Sequence, residues 1–108
     1  MEARSNWTFL SNHSHVLIAL AKDADMRIRD LAGEIGITER AVAQILTDLQ
    51  AAGVLKRRRS GRRNVYEINR NVNLRHKVEG HRTVGDILHL AEPAPSRKRR
   101  NAGSGVRL

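Results

Sequence analysis

Eight consecutive residues, Lys56-Arg57-Arg58-Arg59-Ser60-Gly61-Arg62-Arg63, carry six cations and no acid. Packed this closely, the cations repel one another unless an anion lies between them, and Ser60-Gly61 marks a turn that presents them together. A second set of polar groups recurs at helical spacing a little upstream. At about 100° per residue, Arg40, Gln44 and Thr47 share one helical face, with Ala43 at its edge and Thr38 at its start. These side-chain types can read base edges: arginine pairs two-pronged with guanine, glutamine with adenine, and alanine touches a thymine methyl. No acid lies in the middle of that face, although Glu39 is near its start and Asp48 at its border. Together the two sets point to double-stranded DNA. The helical face is expected to read sequence. Lys56, Arg57, Arg58, Arg59, Arg62, Arg63 and Asn64 are expected to hold the phosphate backbone or enter a narrow minor groove.

The chain offers little else that could do chemistry. It has no cysteine, which excludes disulfides, thiolate metal sites and cysteine nucleophiles. His13 and His15 lie early, and His76, His81 and His89 late, at spacings that match no ligand motif. No metal, cofactor or effector is assigned to them. There is no glycine-rich phosphate loop, nucleophile elbow or zinc-hydrolase pair, and the acids lie mostly near helix starts, where capping accounts for them. The expected protein is not an enzyme.

The 108 residues carry a formal net charge of +9, and its distribution is uneven. Residues 93–108 hold five more cations (Arg97, Lys98, Arg99, Arg100, Arg107) and no acid. Outside the two basic stretches, 9 basic residues face 11 acidic ones, so the whole excess sits in one loop and one tail. No apolar run approaches the ~20 residues a membrane span needs. Nothing resembles a secretory leader, so a cytoplasmic, nucleoid-associated location is expected.

Periodicity supplies the elements that position these groups. A first helix is expected from a cap at Ser11 or Asn12, with His13, Val16, Leu17 and Leu20 inward and Ile18 pointing away. Met26-Arg27-Ile28-Arg29 alternates, which predicts a short extended segment burying Ile28. Asp30–Ile35 reads as a short helix stopped by Gly36, and Thr38 caps the next one, Glu39–Ala52, with Val42, Ile45, Leu46 and Leu49 as its apolar stripe. Two strands, Val54–Arg57 and Asn64–Ile68, are joined across Arg58–Arg63. Thr83 and Asp86 approximate a capping box that opens a last helix, with Val84, Ile87, Leu88 and Ala91 on one face, and Pro93 and Pro95 end ordered structure.

Ala32, Gly36, Val42 and Ile45 occupy the small, turn and anchor positions of a helix-turn-helix, and a basic hairpin follows at once. Over residues 12–68 this resembles the winged helix-turn-helix regulators of the MarR and ArsR type. The resemblance implies a mainly α fold with a small β-wing and an additional C-terminal helix. It also implies a sequence-specific regulator of transcription that pairs as a homodimer through flanking helices. The expected organisation is an N-terminal segment 1–11, a DNA-binding domain 12–68, a C-terminal extension 69–92 with a dimerising helix, and a disordered basic tail 93–108. An architectural nucleoid protein of low specificity is the alternative, and an RNA-binding or protein-interaction winged helix comes last, because stacking platforms are scarce.

Overall fold

The computed structural model describes residues 7–92. The expectations placed on residues 1–6 and on the tail 93–108 lie outside that range. The elements run α1 (Asn12–Lys22), α2 (Ile28–Ile35), α3 (Glu39–Ala51), β1 (Leu55–Ser60), β2 (Arg63–Ile68) and α4 (Val84–Ala91). This is the winged helix-turn-helix order expected above.

Each helix starts where a side chain can absorb a free backbone N–H, with one exception. Ser11 Oγ accepts from Ser14 N–H at 3.3 Å to cap α1, and Thr38 Oγ1 accepts from Ala41 N–H at 3.0 Å to cap α3. At α4 the box is reciprocal: Thr83 Oγ1 accepts from Asp86 N–H, and Asp86 Oδ2 accepts from Thr83 N–H. The exception is α2, whose cap residue Arg27 makes no side-chain cap bond. That helix begins at Ile28, so the extended segment expected at 26–29 is absent and Ile28 is left 36% exposed. What remains of a third strand is a single bond, from Tyr66 N–H to Ala24 O at 3.0 Å.

Gly36 ends α2 at φ 85°, and the N–H groups of Gly36 and Ile37 both reach Ala32 O. A left-handed residue with these paired bonds turns the chain sharply enough for α3 to cross α2. The core is aliphatic apart from Tyr66: Val16, Leu17, Leu20, Leu31, Val42, Ile45, Leu46, Leu49, Val54, Leu55, Val84 and Leu88 are all buried. His13, expected inward, is exposed, and Ser14 takes the buried position in its place.

The α4 stripe is largely covered within the chain, with Ile87 and Ala91 left half-buried. Val84 and Leu88 are 4% and 2% exposed, α4 packs on α1, and Ile18, expected to face away, is half-buried against the same core. The connection from Asn69 to Thr83 supports this docking. Val72 O accepts from Val84 N–H and Arg70 O from Gly85 N–H, each at 2.9 Å. Gly85 allows that approach, since a Cβ there would sit 3.2 Å from Arg70 O.

Candidate nucleic-acid interface

The apolar stripe of α3 (Val42, Ile45, Leu46, Leu49) is buried, which turns Arg40, Ala43, Gln44 and Thr47 to solvent, all exposed. Thr38 is exposed too, but its hydroxyl oxygen already accepts the Ala41 N–H and is part of the helix cap. Sequence reasoning therefore locates this face well. It misses what holds one of its members. Gln44 Nε2 donates to Asp48 Oδ1 at 2.9 Å, and Asp48 Oδ2 lies 2.9 Å from His13 Nε2, at the first turn of α1. The His13 hydrogen bond, with that of Gln44 behind it, holds the Asp48 carboxyl below its ordinary value, and the positive charge of Arg75 acts in the same direction. Asp48 is thus ionised and occupied, rather than a bare acid at the border of the face.

The wing leaves α3 through Gly53, at φ 78°, and Val54 N–H returns to Leu49 O at 2.9 Å. Its strands are longer than the sequence suggests. The register runs from Leu55↔Ile68 to Ser60↔Arg63, so only Gly61-Arg62 connects them, with Gly61 at φ 64°. Lys56, Arg57, Arg58 and Arg59 therefore stand on a strand rather than in a loop, and paired residues share a face. One face carries Arg57, Arg59, Asn64 and Tyr66. The other carries Lys56, Arg58, Arg63 and Glu67.

The six wing cations are not equivalent. Arg58 Nη2 pairs with Glu67 Oε2 at 3.0 Å. Arg63 Nη2 donates to Asp25 O at 2.8 Å, with Asp25 Oδ2 at 3.7 Å, so it ties β2 to the α1–α2 turn. Lys56, Arg57, Arg59 and Arg62 are exposed and make no ion pair among the described residues. Asn64 is half-buried, and its Oδ1 is buried without a hydrogen-bond partner among the described residues.

Among the described residues, no three of His, Cys, Asp and Glu gather where they could hold a metal ion. His13 is committed to Asp48, His15 to Asn12 Oδ1 at 3.0 Å, His76 Nδ1 to the Val78 N–H and His89 to Glu92. No helix in the described range is long and apolar enough to cross a membrane.

No curated protein matches the chain in sequence. Among solved structures, it is similar to the PcaV transcriptional regulator from Streptomyces coelicolor, determined with its natural ligand. The match covers 60% of this chain and 48% of that one, at 25% identity and a TM-score of 0.49. It is also similar to a zinc-responsive MarR family member, Lactococcus lactis ZitR, over 64% of this chain and 49% of that one, at 25% identity and a TM-score of 0.48. Wild-type ZitR in complex with DNA matches over the same shares at 21% identity and a TM-score of 0.49. The chain spans about half the length of these structures. A family model described as "Winged helix-turn-helix DNA-binding" matches residues 11–56, from the cap of α1 to the second residue of β1; with the hairpin and buried stripes above, the chain carries a winged helix-turn-helix domain.

Proposed function

We propose that this chain is a sequence-specific regulator of transcription that lays α3 in the major groove of duplex DNA and sets its wing along the backbone. One observation carries the reading: α3 spends its whole apolar stripe on the core and leaves Arg40, Ala43, Gln44 and Thr47 outward, directly ahead of a hairpin with four exposed cations that make no ion pair among the described residues. Arg40 and Gln44 supply forked donors and a donor–acceptor amide for base edges, and Lys56, Arg57, Arg59 and Arg62 supply charge to phosphates. A groove-facing surface gains affinity from every neutralised phosphate, whatever the sequence, so specificity has to come from α3. The match of residues 11–56 to a DNA-binding family model supports the same reading.

Two-fold pairing belongs to this proposal, because it would place two recognition helices about 34–36 Å apart on a palindromic site. The α4 stripe lends it little support, because Val84 and Leu88 are already buried within the chain. Among the described residues, Trp7, Phe9, Ile28, Val78 and Leu90 are the large apolar side chains left exposed for a partner copy. A cytoplasmic location beside the nucleoid follows from the same function.

Selection from random-sequence duplexes at physiological salt tests the reading. A recurring motif, palindromic if the chain pairs, is expected. Enrichment without a motif, together with a steep salt dependence, would make the protein architectural instead. Failure to retain any duplex would remove DNA from the account.

A further inference from the structure

The base-facing glutamine of α3 is not free to turn. Gln44 and Asp48 lie one helical turn apart, and the Gln44 amide meets Asp48 Oδ1 at 2.9 Å. The other carboxylate oxygen is held at 2.9 Å by His13 Nε2, from a helix 35 residues away in sequence. An ionised carboxylate only accepts hydrogen bonds, so the amide must turn its nitrogen toward Asp48 and its oxygen away. With His13 on Oδ2 as well, the carboxylate is held in the rotamer that meets the amide. The exposed His13–Asp48 pair contributes little to stability, as surface pairs generally do. Its geometric effect on Gln44 is the larger consequence.

We propose that Asp48, braced by His13, is a positioning residue that fixes the orientation of the Gln44 amide and so sets which base it accepts. The inference rests on the reading of α3 as a base-contacting helix. Held this way, Gln44 shows outward an acceptor, Oε1, and its one remaining N–H. Adenine answers that pair with its N6 amino group and N7, and cytosine answers the oxygen with its N4 amino group. Guanine and thymine show no major-groove amino donor, so the fixed oxygen has no partner there. An amide released from Asp48 can rotate by half a turn and offer both N–H groups to guanine or thymine. Asp48 thus narrows the choice of a residue that would otherwise tolerate several bases, although it touches no base itself.

The test compares wild type, Gln44→Ala, Asp48→Ala, His13→Ala and His13→Gln by selection on random duplexes, then by titration of duplexes differing at one base pair. Gln44→Ala should abolish preference at one position of the site. Asp48→Ala should cut the preference for an amino-bearing base at that same position about tenfold, the lower part of the range for a good two-pronged contact. Positions that depend on Arg40 should be unchanged. His13→Ala should give a partial version of the Asp48→Ala pattern, and His13→Gln, whose amide nitrogen reaches about where the imidazole Nε2 sits, should restore it. A uniform change of affinity on all duplexes in Asp48→Ala, with the preference intact, would overturn the inference while leaving Gln44 as a base reader. No altered position in Gln44→Ala would instead overturn the base-reading role of Gln44, and the inference with it.

Discussion

The division of the wing cations into paired and unpaired ones has a measurable consequence. Each phosphate neutralised by a side chain releases counterions and contributes about 0.9 to the slope of log affinity against log salt. Between about 50 and 200 mM salt, one contact is therefore worth roughly a 3.5-fold change in how much binding is lost, and four together roughly 150-fold. Lys56, Arg57, Arg59 and Arg62 are the four exposed cations without an ion pair among the described residues. Arg59→Ala or Arg62→Ala should each flatten the slope by about one unit, on preferred and random duplexes alike. Arg63→Ala should leave the slope nearly unchanged, because its guanidinium already serves Asp25, and should instead loosen the hairpin from the α1–α2 turn. Fluorescence anisotropy on one labelled duplex across a salt series reads all three variants. Equal slope losses for Arg59→Ala and Arg63→Ala would refute the division. An unchanged slope with altered base preference in Arg59→Ala would show that the wing reads sequence.

Leu88→Ala, at a side chain 2% exposed between α4 and α1, should cost about 2–5 kcal/mol in denaturant unfolding, whereas Leu90→Ala, at 76% exposure, should be nearly neutral; comparable costs would mean that α4 is not docked as described. Gly36→Ala puts a Cβ where nothing lies within 4 Å but forces φ 85°, so it should cost about 1–2 kcal/mol from backbone strain alone, and an unchanged Tm would refute that conformation at the helix-turn-helix bend. Asp86 is held below the ordinary carboxylate value first by the Thr83 backbone N–H, and Asp48 first by His13. With folded-state values depressed, both stabilise the fold fully above the unfolded value of about 3.9 and lose that contribution as pH falls through their folded values. Asp23, raised by its hydrogen bond with Asp25, works in the opposite sense and loses its contribution as pH rises. Asp86→Asn should accordingly flatten the fall of Tm below about pH 4, and an unaltered acid limb would show that the capping box does not form.

Much of this architecture is legible in the sequence because local chemistry and tertiary packing agree. Thr38, Thr83 and Ser11 are good caps and do cap, and the stripe of α3 is the stripe that is buried. The start of α2 is hidden because Arg27 offers no capping side chain and Met26–Arg29 alternates as a strand would, yet packing of Leu31 and Ala32 draws Ile28 into helix. The hairpin reads short because a run of arginines looks like a loop, whereas backbone pairing needs no apolar side chain to continue. Covering of α4 by α1 is a long-range fact. An apolar face in sequence does not say whether its partner lies in the same chain. The same limit hides the His13–Asp48 contact, since neither residue belongs to a local motif with the other.

Only one margin of the hairpin is occupied. Tyr66 N–H and the Arg63 guanidinium fasten β2 to the α1–α2 turn, while the far side of β1 meets no other strand among the described residues. Such a margin presents a row of idle N–H and C=O groups, an invitation for a neighbouring molecule to add its own strand. Here the four residues along its middle, Lys56 to Arg59, are all cations, so two copies approaching margin to margin meet mutual repulsion before any bond can form. The charge proposed to draw in a polyanion therefore also disfavours the pairing of two copies along this margin. Replacing the whole run by alanine would confound loss of DNA affinity with gain of self-association, and for that reason the wing is better dissected one arginine at a time.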